Sequence, residues 1–529
     1  MDMSLLLVLS MFLVLIGFLL TGFPVAFTLG GTALIFGLIG TATGTLDLTF
    51  LELLPNRLFG NVLRNELLFA VPLFVAMGVM LEKSRVAEDL LESMGKLFGS
   101  LPGGLGISVT IVGALLAAST GIVGATVVTM GLLSLPTMLR RGYDPALATG
   151  SIAAAGTLGQ IIPPSIVLIL LADVMSSAWQ QAQISNGAFS PLPMSAGELF
   201  AGALLPGLAL VALYILYQVI VAVLKPENSP AIQRGPGEAL DRHIYGKILI
   251  ALLPPLLLIV AVLGSILAGI ATPTEAASVG AIGAILLGAA RLGVNTRIIV
   301  ITSLITLVAI LLISNFADLR MHRETIPLSD QIFYWLAILL TLLFTAGLGH
   351  ALWKTHHSGI LGEAMRSTVR ISTMIFAILI GASLFSLVFR GLGGDQIIED
   401  LLHGLPGGQF TAILLVMVLM FILGFFLDFI EITFVVVPVV APALLAMDGT
   451  YGPIWLGVLM AMNLQTSFLT PPFGFALFYL RGVAPKSVPT TAIYRGVLPF
   501  VIIQVMALGL IVLFPEIVTW LPERIFGSS

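Results

Sequence analysis

Long apolar runs separated by short polar breaks dominate this chain. Reading the runs gives twelve candidate spans, at residues 4–21, 23–40, 66–82, 145–173, 198–224, 249–268, 274–291, 297–314, 332–353, 370–390, 453–481 and 490–514. An α-helix needs roughly 20 apolar residues to cross hydrocarbon, and most of these runs supply about that many. Two stretches do not fit. Residues 105–139 and 411–447 are each about 35 residues of nearly uncharged sequence, too long for one helix and short for two full spans.

Charge decides how these two stretches sit. Lys83, Arg85 and Lys96 precede 105–139, and Arg140 and Arg141 follow it. Both ends therefore belong on the cytoplasmic side, which makes 105–139 a re-entrant hairpin. The second stretch is flanked by Asp395, Glu399, Asp400 and Asp448, so its ends belong on the opposite face. Letting every other span cross once puts most of the 23 lysines and arginines in cytoplasmic loops and both termini outside.

The order repeats. Leu-Pro-Gly-Gly occurs at 101–104 and at 405–408, each time preceded by Glu-Asp-Leu-Leu, at Glu88–Leu91 and Glu399–Leu402. A double proline follows 61 residues after Pro102 and 65 residues after Pro406. Span, span, span, hairpin, span, span is read twice, with the halves starting on opposite faces, as in inverted-repeat transporters. The expected division is scaffold helices and an interfacial arm at 1–104, then a transport half at 105–173. A span and connector at 174–248 lead to a second scaffold at 249–410, with an inserted pair at 297–353. A second transport half at 411–481 precedes the last span and C-terminus at 482–529. The fold class expected is an all-α polytopic membrane protein with two re-entrant hairpins and two discontinuous helices.

Composition agrees. The chain is 58% hydrophobic and 9% charged over 529 residues, whereas soluble domains carry about 25% charged residues. The 55 glycines and 29 prolines exceed what straight helices need. Cysteine is absent, which excludes disulfides and thiolate-bound metals. A net charge of -4, scattered through loops, gives no nucleic-acid surface. The opening Met-Asp-Met-Ser-Leu-Leu-Leu has no basic region, so Leu5–Leu20 is expected to be a span and not a cleaved signal.

Chemistry concentrates at the double prolines. Gly156-Thr157-Leu158-Gly159-Gln160-Ile161-Ile162-Pro163-Pro164-Ser165 lies mid-span, and its prolines donate no backbone hydrogen bond. Irregular backbone at membrane depth survives only inside protein or beside a cavity, and freed carbonyls suit a hard cation. Its counterpart, Asn463-Leu464-Gln465-Thr466-Ser467-Phe468-Leu469-Thr470-Pro471-Pro472, carries five polar side chains that simple packing explains poorly. The hairpin tips, near Ser119-Thr120-Gly121 and Asp428–Glu431, are expected to face these breaks. A carboxylate at that depth costs roughly 2.5–3.5 kcal/mol on insertion scales and needs a cation, a partner or a proton. Asp428 is the better ligand candidate, while Glu431 either bonds to nearby backbone or holds a proton. Thr272-Pro273-Thr274-Glu275 reads as a capping box that starts the next helix. Glu88–Lys96 reads as an interfacial amphipathic helix. No phosphate-binding Gly-rich loop and no His-Glu-x-x-His motif occurs.

The strings Gly142-Tyr143 … Gly156-Thr157-Leu158-Gly159 … Ile162-Pro163-Pro164-Ser165-Ile166, Thr272-Pro273-Thr274-Glu275-Ala276 and Asn463-Leu464-Gln465-Thr466-Ser467 resemble the large membrane subunit of tripartite ATP-independent periplasmic (TRAP) transporters. The resemblance covers nearly the whole chain and departs at 174–248 and 297–353. It implies an elevator-type secondary transporter in the bacterial inner membrane, coupled to sodium and importing organic acids. It implies two partners, a small four-helix membrane subunit and a soluble periplasmic binding protein. Sodium would bind where each hairpin tip meets the adjacent break: Ser119, Thr120, Gly121, Gly156 and Pro163 at one site, Asp428, Thr466, Ser467 and Thr470 at the other. Thr157, Gln160, Asn463 and Gln465 are the substrate candidates. No further cofactor is expected. The alternatives are a stand-alone sodium- or proton-coupled anion permease of similar architecture and, more remotely, an intramembrane enzyme, for which no nucleophile and base pair at one depth.

Overall fold

The computed structural model describes the chain apart from residues 1–2, 48, 85, 99–100, 232–241, 321–326, 448–450 and 528–529. The flanking charges Arg85 and Asp448 and the middle of the connector lie outside the described residues. So do the side chains of Lys96, Ser119 and Thr120. Among the described residues every regular element is helical.

The first repeat opens with Met3–Leu20, Val25–Ala42 and Glu66–Lys83, followed by the amphipathic arm Val86–Phe98. Hairpin 1 consists of Gly104–Thr120 and Val123–Arg140, joined through Gly121 at φ +61°. Broken helix 1 is Pro145–Thr157, a 3₁₀ turn at Leu158–Gln160, and Ile166–Ser185. Ala196–Leu224 closes the repeat. The second repeat has Arg242–Leu267, Pro273–Ala290 and Ile360–Gly391, with the inserted pair Val294–Phe316 and Leu328–His357 between the latter two. A second arm, Gly394–His403, leads into hairpin 2, made of Gly408–Leu423 and the bent pair Phe429–Val435 and Val437–Ala446. Broken helix 2 is Pro453–Leu469 and Phe475–Val483, and Thr490–Leu513 closes the repeat.

Several boundaries shift. The 145–173 run continues as helix to Ser185: Asp173 is hydrogen-bonded to Asn65, and Gln181 is hydrogen-bonded to Arg390 and Asp395. The 370–390 span begins at Ile360, with Glu363, Arg366 and Arg370 on its polar extension. A short helix at Glu516–Phe526 follows the last span and packs on Ala196–Leu224. Local rules account for the starts: Ser195 with Glu198 and Thr272 with Glu275 both form capping boxes.

The two repeats interlock through their last helices. Thr490–Leu513 crosses Pro145–Thr157 where Gly496 meets Gly150 so closely that a methyl on Gly150 would sit 2.0 Å from the Gly496 carbonyl oxygen. Ala196–Leu224 crosses Pro453–Leu469 at Gly202 and Gly457 in the same manner, with Ile454 and Leu199 as the close neighbours. Small residues at crossings let helix backbones approach in a bilayer, where water drives no association.

Candidate functional site

The proline pairs interrupt both broken helices. Pro163 and Pro164 offer no N–H, so carbonyls one turn back lose their helical partners. The Ser165 hydroxyl turns back and donates to the Gly159 carbonyl at 2.8 Å, bracing the gap. Thr157, Gln160 and Ser165 are all fully buried. Thr157 donates to its own helix, at the Ala154 carbonyl (2.9 Å). Both double prolines, 163–164 and 471–472, contain a cis peptide.

Hairpin 1 seats on this break through glycines. A methyl on Gly121 would lie 3.0 Å from the Ile166 amide nitrogen, and one on Gly159 would lie 3.0 Å from the Ala117 carbonyl. A methyl on Gly156 would meet Val127 at 2.3 Å, and one on Gly113 would meet Ala155 at 2.6 Å. Both arms of the hairpin therefore grip one broken helix: Gly156 lies against Val127 of the second arm, and Gly121 at the tip lies against Ile166. The backbone of Ser119 and Thr120 ends the first arm at that point.

Hairpin 2 meets its break through side chains. The Asn463 amide donates to the Met417 carbonyl at 2.8 Å, and the Ser467 hydroxyl donates to the Phe421 carbonyl at 2.7 Å. Gly424, at the tip, approaches the Ser467 side chain. Thr466 and Thr470 donate within their own helix, to Met462 and Thr466 at 2.8 and 2.7 Å. Their hydroxyl oxygens keep lone pairs for a further partner.

Asp428 is the N-cap of Phe429–Val435: its carboxylate accepts from the Phe429 amide at 2.8 Å. Glu431 completes the box by accepting from the Asp428 amide at 2.9 Å. Glu431 thus bonds to nearby backbone, one of its two expected roles. Among the described residues no hydrogen bond joins Asp428 to Thr466, Ser467 or Thr470. The sequence signal was present, since Asp-x-x-Glu at a helix start is a capping pattern.

The two breaks are neighbours. Pro453–Leu469 packs against both Pro145–Thr157 and Leu158–Gln160, and the Tyr479 ring lies against Gly124 of hairpin 1. In this core the Gln160 side-chain oxygen and both amide atoms of Gln465 are buried without a partner in the chain. Sequence reasoning missed what lies behind them. Tyr214 and Gln504, on the two closing helices, are fully buried, and Gln504 donates to the Tyr214 hydroxyl at 2.8 Å. The Gln465 amide faces that hydroxyl without closing a hydrogen bond. Isolated Gln and Tyr in long apolar runs gave no warning. Among the described residues no group of three His, Cys, Asp or Glu gathers. The donors here are hydroxyls, amides and backbone carbonyls, ligands for a hard cation and not for a soft metal.

The family model described as "Tripartite ATP-independent periplasmic transporter, DctM component" matches residues 12–517. The C4-dicarboxylate TRAP transporter large permease protein DctM of Vibrio cholerae is 26% identical over 98% of this chain and 98% of its own length. The sialic acid TRAP transporter large permease protein SiaM of Vibrio cholerae is 24% identical over 97% of each chain. The ectoine TRAP transporter large permease protein TeaC of Halomonas elongata is 26% identical over 97% of this chain and 98% of that one. The Alcanivorax borkumensis YdaH transporter, whose crystal structure is described as having an unusual topology, shares the fold. Its TM-score is 0.53 at 16% identity, covering 89% of this chain and 90% of that one.

Proposed function

The chain belongs to the DctM-component family of tripartite ATP-independent periplasmic transporters, and on that premise we propose that it is the sodium-coupled large permease of an organic-acid importer. It is a transport subunit of the inner membrane, built from many apolar helices. The observation that carries the finer reading is the paired arrangement of hairpin tips on broken helices, with neutral oxygens and unpartnered amides between them. Such a pair offers two cation sites, one beside Ser119, Thr120, Gly121, Gly156 and Pro163, the other beside Asp428, Thr466, Ser467 and Thr470. Thr157, Gln160, Asn463 and Gln465 line the space between them for the substrate. Bound sodium supplies the positive charge that the breaks lack, since neither break carries Lys or Arg.

The mechanism follows from the two layers. Hairpins, broken helices and closing helices form the moving body, while the remaining spans form the scaffold against which it slides. A small membrane subunit and a periplasmic binding protein complete the system. The relatives named above are permeases for C4-dicarboxylates, sialic acid and ectoine, so the class here is small molecules bearing a carboxylate. Net inward movement of positive charge is driven by about 2.3 kcal/mol per elementary charge per 100 mV.

Proteoliposomes holding this chain with its small subunit and loaded binding protein test the reading. An inward sodium gradient is expected to drive uptake that a negative interior potential accelerates. Equal uptake without sodium under a pH gradient overturns sodium coupling, and full uptake without the binding protein favours a stand-alone permease.

A further inference from the structure

The seam between the moving body and the scaffold is mostly apolar. Two polar side chains stand out on it, and both belong to Ile166–Ser185, the outer half of broken helix 1. Asp173 accepts from the Asn65 amide at 2.6 Å, and Asn65 is the N-cap of the scaffold helix Glu66–Lys83. Gln181 accepts from the Arg390 guanidinium at 2.5 Å and donates to Asp395 at 3.5 Å. Arg390 and Asp395 are themselves ion-paired at 3.3 Å, at the end of the scaffold span Ile360–Gly391 and the start of the second arm. These side-chain hydrogen bonds cross from the moving body to the scaffold.

Their placement is orderly. Asp173 and Gln181 are eight residues apart, about two turns along one side of the helix. Asn65 and Arg390 lie on different scaffold spans, so one helix is pinned to the scaffold at two points. Beside Asp173 a cavity of about 390 Å³ opens, lined by Leu67 and Pro273 of the scaffold and by Ala172, Ser176 and Ser195. Loose packing there leaves the polar contacts as the specific ties at this part of the seam.

We infer that Asp173 and Gln181 form a two-point latch that holds the transport body in the position described here and must be released in each transport cycle. This rests on the elevator reading above. The latch residues are positioning residues: they touch neither breaks nor hairpin tips, and they act on the balance between states. A hydrogen bond to a charged group contributes more than a neutral one, and at 1.4 kcal/mol it weights a two-state balance tenfold. The contacts are polar and only partly buried, so they specify a resting position without freezing it. Gln181, in the polar stretch beyond position 173, has this role.

Distance measurements between two spin labels test the latch. The chain has no cysteine, so Leu63→Cys on the scaffold side and Ile184→Cys on the moving helix, both exposed, give unique labels. In lipid nanodiscs the parent protein is expected to show two distances, one for the position described here. Asp173→Ala and Gln181→Ala are each expected to deplete that population about tenfold relative to the other, while Ser176→Ala leaves the ratio unchanged. If Asp173→Ala does not fold, Gln181→Ala decides alone. Two populations with an unchanged ratio in both latch variants overturn the latch and leave the elevator standing. One fixed distance in every variant and condition overturns the elevator, and the latch with it.

Discussion

The two hairpin–break units occupy equivalent places in the repeat and are held together by different chemistry. Hairpin 1 lies on its break through glycines, at contacts of 2.3–3.0 Å for any added methyl. Hairpin 2 lies on its break through Asn463 and Ser467, which donate to carbonyls of the facing helix. The first unit depends on the absence of side chains, the second on their presence. The difference teaches where variation is tolerated. A backbone-to-backbone seam fails on any added volume, while a hydrogen-bonded seam loses stability in steps. It also bears on the proposed ion sites: the second unit offers the hydroxyls of Thr466, Ser467 and Thr470 and one carboxylate.

The largest effect concerns orientation. Leu101→Cys and Arg141→Cys, at the two ends of hairpin 1, are expected to react with impermeant thiol reagents from the cytoplasm only. Leu401→Cys and Gly452→Cys, flanking hairpin 2, are expected to react from the periplasm only. Labelling of both pairs from one face breaks the inverted relation. Next comes packing. Gly156→Leu drives a side chain into Val127 and should cost about 3 kcal/mol, read as a loss of monodisperse protein or a large drop in melting temperature. The second unit should respond more gently. Ser467→Ala removes one hydrogen bond and leaves the Phe421 carbonyl short of a donor, for about 1–2 kcal/mol in thermal stability. Smaller still, Thr272→Ala removes the N-cap of a scaffold helix and should cost about 1 kcal/mol with transport kinetics unchanged. A transport defect there would show that the units are less separate than the contacts indicate.

Much of this architecture was legible in the sequence. Twin Leu-Pro-Gly-Gly strings and double prolines located the hairpins and breaks, because glycine and proline constrain backbone whatever surrounds them. The Thr272–Glu275 box was readable for the same local reason. What sequence hid is tertiary. Asp173 ended an apolar run, yet the helix runs on because Asn65, 108 residues away, satisfies it. The second arm, Gly394–His403, was visible only as a repeated Glu-Asp-Leu-Leu. Tyr214 and Gln504 were single polar residues in apolar spans until folding set them 2.8 Å apart. Asp428 was read as an ion-ligand candidate, and the structure shows that it also caps its own helix.

That cap makes one variant decisive. Asn caps a helix about as well as Asp, so Asp428→Asn should fold with near-normal stability while removing the charge beside the second break. The sodium dependence of uptake by this variant, in proteoliposomes with both partners, therefore reads the ion site and not the fold. The account predicts a curve displaced to much higher sodium at a melting temperature close to that of the parent. A stable variant with an unshifted sodium curve would contradict the assignment of Asp428 to the ion site.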